Sequence, residues 1–174
     1  DLSGYTSDRR LLACRLLEPS FRHGDFLLPA VARLLESIRR EGNEPSAAVA
    51  DLMHAVRAVE IGQAPYAHTK TRLAALLRSY DISDIDAEAL CAQWLICDDF
   101  LLCELGGSFD VIVGNPPYVR QERIPAALLA EYRTRFRTLF DRADLYVPFY
   151  ERALDLLAPQ GVLGFICSNR WLKN

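Results

Sequence analysis

The chain has 174 residues, 51% of them hydrophobic and 25% charged, with a formal net charge of −3. That balance fits one folded domain with a real core and excludes a disordered tail. The acidity excludes a dedicated basic nucleic-acid-binding module, though not a catalytic domain that leaves most nucleic-acid contacts to another domain.

Hydrophobic runs alternate with helical patterns along the chain. Cys14 to Leu17 is a short apolar run that ends at Glu18-Pro19-Ser20. Phe26, Leu27, Val31, Leu34, Leu35 and Ile38 then recur at helical spacing, predicting a helix over residues 25–40. Glu41 to Pro45 breaks it, and Ser46 is placed to cap a short helix through His54. Ala55 to Ile61 reads as a strand carrying Glu60 near its end. A helix is expected from Ala64 to Ser79. Trp94 to Cys97 reads as a strand ending at Asp98-Asp99, and Phe109 to Val113 as one running into Gly114-Asn115-Pro116-Pro117. Leu145 to Leu157 reads as a helix stopped by Pro159-Gln160-Gly161, with a last strand from Val162 to Cys167.

Strands separated by helix-length segments predict an α/β fold with a mostly parallel sheet covered by helices on both faces. In such folds ligands sit outside the carboxyl ends of the strands. Glu18, Glu60, Asp99 and Asn115 all fall at or just after a strand end. No internal repeat or low-complexity segment interrupts the pattern.

Cys14, Cys91, Cys97, Cys103 and Cys167 are odd in number and never in C-x-x-C spacing. This argues against a disulfide framework or zinc site and for free thiols in a reducing cytoplasm. His23, His54 and His68 are scattered, so no metal is expected. No apolar run approaches the ~18 residues of a membrane span, and no signal-peptide pattern opens the chain.

The most chemistry-bearing segment is Asn115-Pro116-Pro117-Tyr118. Two prolines after a strand cannot extend a ladder, so they fix a rigid turn at the sheet edge. Such a turn aims the Asn115 side-chain oxygen and the Pro116 carbonyl at one point. Both are acceptors, and an exocyclic amino group carries two N–H donors. Accepting both would orient the amine and relieve positive charge as its nitrogen attacks a methyl group. Tyr118 offers a flat face for stacking a planar ring. The bland alternative is a proline-stiffened loop with Asn as a turn former.

These four residues resemble the catalytic motif of amino-group DNA methyltransferases. The run Gly114 to Glu122 is similar, more narrowly, to the N6-adenine methylases of the type IIG restriction-modification and phage-defence class. Asp144 to Tyr150 and Gly161 to Leu172, including Ser168-Asn169-Arg170-Trp171, match the segments that follow in that class. The resemblance implies a Rossmann-like fold, S-adenosylmethionine as cofactor, and adenine in double-stranded DNA as substrate, with Asn115, Pro116, Pro117 and Tyr118 around the target amine.

It also implies a cofactor floor. Glu18, Pro19, Ser20, Gly24 and Phe26 resemble the family's first cofactor turn, with Arg22 at a position the family fills with glycine. A glycine lets the backbone approach a ligand closely, and a helix N-terminus suits the cofactor carboxylate. Glu60 matches the residue that accepts from both ribose hydroxyls; a solvated strand-end glutamate is the alternative. Asp99 and Phe100 match the adenine-binding pair, with Asp98 as the competing acid. Asn115 closes the cofactor set.

Between Val119 and Arg142, six arginines face three acids, with Tyr132 and Phe136 interleaved. Arg120, Arg123, Arg133, Arg135 and Arg137 are candidate DNA-backbone contacts, which position without specifying; a solvated helix face is the alternative. The expected division is a cofactor-binding half over about 11–105 and a catalytic, DNA-facing half over about 106–174. A first residue other than Met, and an N-terminal Tyr5-Thr6-Ser7 that matches the family poorly, suggest a partial catalytic domain. Its last strands, a target-recognition domain and any nuclease would lie outside this chain. Two other functions remain open: a protein-glutamine N-methyltransferase, whose amide also needs two acceptors, and a non-catalytic remnant that binds a partner.

Overall fold

Five strands form where the apolar runs lie, and all of them pair in parallel. They are β1 (Leu16–Glu18), β2 (Val56–Val59), β3 (Leu95–Ile96), β4 (Phe109–Gly114) and β5 (Leu157–Phe165), in the sheet order β3-β2-β1-β4-β5. The computed structural model describes residues 4–140 and 143–167. Strand order reverses between β1 and β4. This is the switch point at which a doubly wound sheet opens a crevice beyond its strand ends.

Alternation along the strands feeds two cores. Leu16, Val56, Ala58 and Val111 pack with α1 (Leu27–Arg40), α3 (Gln63–Arg78) and α4 (Asp84–Trp94). Leu17, Val59 and Ile112 join the other core with Tyr132 of α5 (Ala126–Arg135) and Phe149 of α6 (Tyr146–Asp155). Both sheet faces are therefore covered, as near-continuous apolar strands require.

The α1 prediction holds: Leu27, Val31, Leu34, Leu35 and Ile38 are buried on one face. Four boundaries move for identifiable reasons. Ser46 caps nothing; it lies inside a 3-10 turn, Pro45–Ala48, whose first position Pro45 occupies, and the short α2 (Val49–Leu52) follows. Trp94 belongs to α4 and not to β3, because its indole N–H donates to the Leu52 carbonyl at 2.8 Å in the core. α6 stops at Asp155 because Leu157 already pairs with Phe109 in the sheet. For the same reason β5 begins at Leu157 rather than Val162. Pro159-Gln160-Gly161 does not precede the strand; it sits in a register shift between the Phe109–Leu157 and Val111–Val162 pairings.

Among the described residues β5 is a sheet edge, with Ile166 just beyond it 53% exposed. No helix among them is long and apolar enough to cross a membrane. Ser168 to Leu172 and Arg142, singled out in the sequence, lie outside the described residues.

Candidate active site

The carboxyl ends of β1, β2, β3 and β4 deliver Glu18, Glu60, Asp98-Asp99 and Asn115 to one edge of the sheet. A cleft of about 370 Å³ opens there, within the range of small-molecule sites. Pro19 and Ser20 come to it from the turn after β1, Glu60 and Ile61 from the end of β2, and Asp98, Asp99 and Phe100 from beyond β3. Pro117 of the Asn-Pro-Pro-Tyr turn, and Val119 just after it, also line the cleft.

Glu60 knits two of these turns together. One carboxylate oxygen accepts the Arg22 backbone N–H at 2.8 Å and the other accepts the Gly62 N–H, also at 2.8 Å. Each oxygen keeps a further lone pair, so the group can still accept from a diol. The approach at Gly62 requires glycine: a Cβ there would stand 2.7 Å from Pro65 Cγ and 2.9 Å from Glu60 Oε1. Arg22 itself adopts φ 44°, a left-handed conformation that costs a non-glycine residue energy. Its carbonyl is held by the Thr69 hydroxyl at 2.8 Å.

Glu18, at the end of β1, is 1% exposed, and its Oε2 has no hydrogen-bond partner among the described residues. Burial, and then the neighbouring Asp25 and Glu60 charges, push its carboxyl well above the ordinary glutamate range. Asn115 Oδ1 is likewise buried, with no hydrogen-bond partner among the described residues. An orphaned acceptor is costly, so both atoms mark places where a donor from a bound molecule fits.

In the same turn Pro116 is buried, whereas Tyr118 is 46% exposed. The Tyr118 hydroxyl donates to the Ile166 carbonyl at 2.8 Å, and its ring stands 6.0 Å from that of Tyr146. The ring is thus tethered by its tip while its body faces solvent.

Asp98 and Asp99 differ in their surroundings. Asp98 is exposed and accepts only the next N–H, from Asp99, at 2.7 Å. Asp99 accepts the Leu101 N–H at 2.8 Å through Oδ1 and the Tyr132 hydroxyl through Oδ2. Phe100 is buried, 4.9 Å from the Phe149 ring, with the Arg152 guanidinium 5.2 Å from its centroid.

Four of the predicted cofactor residues do not line this cleft: Glu18, Gly24, Phe26 and Asn115. Phe26 lines a separate concavity with Tyr5, Asp25 and Phe165. Gly24, at φ 81°, faces α3: a Cβ there would meet Thr69 Cγ2 at 2.9 Å. The predicted arginines are all exposed but do not share one role. Arg123 lines the cleft. Arg120 bridges to Asp144 through its backbone, and Arg133 donates to Gln121 at 2.8 Å. Arg135 pairs with Glu131 at 2.9 Å, and the Arg137 N–H donates to Glu151 at 3.1 Å.

The sequence reading missed Leu128 and Tyr132 of α5, and Phe149 of α6, which line the cleft. The signal was present in the i, i+4 spacing of Leu128 and Tyr132, which puts them on one face of α5. Arg152 was also missed. It donates to the carbonyls of Leu101 (2.7 Å) and Cys103, fixing the loop that carries Phe100. Among the described residues no group of His, Cys, Asp and Glu is arranged to hold a metal.

Known proteins resemble the chain in both fold and sequence. A putative class I S-adenosylmethionine-dependent methyltransferase of Listeria monocytogenes superposes with a TM-score of 0.57 over 95% of this chain and 43% of its own, at 14% identity. A type I restriction-modification methyltransferase subunit of Streptococcus thermophilus gives 0.55 over 95% and 33%, also at 14% identity. These likenesses establish the fold, a Rossmann-like methyltransferase sheet. In sequence, the type II methyltransferase M.XhoI of Xanthomonas vasicola is 51% identical over the whole chain, which covers 32% of that protein. M.PaeR7I of Pseudomonas aeruginosa is 53% identical over the whole chain and 30% of its own length. The chain thus spans about a third of the length of the curated relatives it matches. The family model for the Eco57I restriction-modification methylase matches residues 43–174. The chain belongs to the Eco57I restriction-modification methylase family.

Proposed function

We propose that this chain is the catalytic part of a site-specific DNA methyltransferase that moves a methyl group from S-adenosylmethionine to the N6 amino group of adenine, within a restriction-modification or related defence system. The observation that carries the reading is the rigid Asn115-Pro116-Pro117-Tyr118 turn, which holds the buried Asn115 Oδ1 without a partner among the described residues and whose Pro117 lines a cleft that also holds Glu60, Asp98 and Asp99.

The cleft suits the cofactor group by group. Glu60 offers lone pairs to the ribose hydroxyls. Asp99 offers them to the adenine amine, and Phe100, Pro117, Leu128 and Phe149 supply an apolar slot for the ring. The acids at the strand ends favour a cationic sulfonium. The bound cofactor supplies an electrophilic methyl group. The protein supplies placement and electrostatics, the usual division of labour.

A base inside a duplex must leave the stack before its amine can react. Tyr118 presents an exposed face on which a flipped ring can stack, a contact of ~1–3 kcal/mol. Asn115 Oδ1 and the Pro116 carbonyl accept the two amine hydrogens, turning the nitrogen lone pair towards the methyl group and stabilising charge as it develops. The arginines after the motif would hold the DNA backbone, and target recognition falls to segments outside this chain.

Methyl transfer by the full-length protein, offered duplex DNA and a glutamine-containing peptide in parallel, tests the reading. Label on DNA is expected. Label on the peptide alone would assign the turn to an amide substrate instead.

A further inference from the structure

α5 arises from the arginine-rich stretch that follows the catalytic turn, yet its inner face lines the cofactor cleft. Tyr132, on that face, is 3% exposed, and its hydroxyl donates to Asp99 Oδ2. The other Asp99 oxygen is held by the Leu101 N–H at 2.8 Å. The carboxylate is therefore clamped at both oxygens by donors from two different segments, with one lone pair on each oxygen left over. Asp98, next to it, has no such clamp: it is exposed and accepts only from its neighbour's backbone.

We infer that Tyr132 is a positioning residue for cofactor recognition: its hydroxyl fixes the Asp99 carboxylate so that the free lone pairs meet the 6-amino group of the donor's adenine. This rests on the proposed cofactor reading of the cleft. It separates the roles of the two adjacent acids, which spacing leaves open. It also ties the segment following the catalytic turn to the proposed adenine end of the cofactor site.

Burial and the Asp99 charge both raise the Tyr132 phenol above the ordinary tyrosine range. The hydroxyl thus keeps its proton and remains a donor throughout the neutral range. Removing it leaves Asp99 Oδ2 with a lost charge-assisted bond and a carboxylate free to rotate. Phenylalanine keeps the ring in the core, so α5 packing is preserved.

The test compares two ligands by calorimetry on the full chain: S-adenosylhomocysteine, and its counterpart in which hydrogen replaces the 6-amino group of the purine. The parent is expected to prefer the amino-bearing ligand. Tyr132→Phe should weaken that ligand by about tenfold, the size of a charge-assisted hydrogen bond, and leave the deaminated ligand unchanged. Asp99→Ala should erase the preference, and adding Tyr132→Phe to it should change nothing further. A Tyr132→Phe protein that keeps the full preference, or weakens both ligands equally, overturns the inference and leaves Tyr132 a core residue. A parent that binds neither ligand overturns the cofactor reading itself. If Tyr132→Phe does not fold, the Asp99→Ala comparison still decides, since an unchanged preference there removes the group through which Tyr132 would act.

Discussion

On the proposed cofactor reading Glu60 serves both stability and ligand binding, and Glu60→Gln tests the two separately. The carboxylate accepts one backbone N–H on each oxygen, from Arg22 and Gly62, both at 2.8 Å. A glutamine amide has one oxygen. Whichever N–H it serves, the other faces an NH2 group, donor against donor. The group is 6% exposed, so water does little to relieve the clash. Losing a charge-assisted bond and stranding a backbone N–H should together cost about 2–4 kcal/mol. For a domain of this size each kcal/mol moves the melting temperature by roughly 2–4 °C, so a fall of about 5–15 °C is expected. In calorimetry the same variant should bind S-adenosylmethionine at least tenfold more weakly, because the ribose diol loses one of its two acceptors. A melting temperature within about a degree of the parent would show that Glu60 does not bridge the two turns. A stability loss without a binding loss would remove Glu60 from the cofactor site while keeping it in the fold.

Two further outcomes follow from the same geometry. Glu18 has its carboxyl raised above the ordinary range, chiefly by burial. Its neutral form is therefore favoured on folding, and the stability it contributes is lost as pH rises through the folded-state value. Glu18→Gln, always neutral, should melt progressively higher than the parent as pH rises above the ordinary glutamate range towards the raised folded-state value, by about 1.4 kcal/mol per pH unit at most; parallel melting profiles would refute this. Gly24→Ala puts a Cβ at φ 81° and 2.9 Å from Thr69 Cγ2, which should cost about 2–3 kcal/mol in denaturant unfolding. Cofactor affinity in that variant should hold, because Gly24 does not line the cleft; a selective affinity loss would place it there after all.

Much of the fold was legible because parallel sheets write themselves plainly into sequence. Runs such as Phe109 to Val113 are apolar on both faces, and their ends carry the polar residues that the switch point gathers. The boundaries that moved did so through tertiary contacts no local pattern encodes. Trp94 reads as strand, but a single indole hydrogen bond to Leu52 keeps it helical. Pro159-Gln160-Gly161 reads as a stop, yet the sheet absorbs it as a shift in register.

The candidate site divides in the same way. Glu60, Asp99 and Asn115 sit at strand ends, so chain position alone places them together. Gly24 and Phe26 were assigned to the cofactor by motif likeness, and the backbone carries them past the cleft onto α1 and its neighbours. Tyr132 was grouped with the wrong surface for the opposite reason. It lies among arginines in a stretch whose charge suggested a DNA-facing surface, and only its i, i+4 spacing with Leu128 betrayed an inward face. Charge describes what a helix shows to water, whereas periodicity describes what it hides.

The central claim, that Asn115 holds an adenine amine for methylation, is tested most directly by following the methyl group. The full-length protein is incubated with duplex DNA and methyl-labelled S-adenosylmethionine, and the DNA is digested to nucleosides. The parent should place the label in N6-methyladenine. Asn115→Ala should place none there, yet bind the cofactor within about threefold of the parent, since removing an unpartnered acceptor costs the cleft little. Label in a cytosine product, or undiminished label in N6-methyladenine from the alanine variant, would contradict the account.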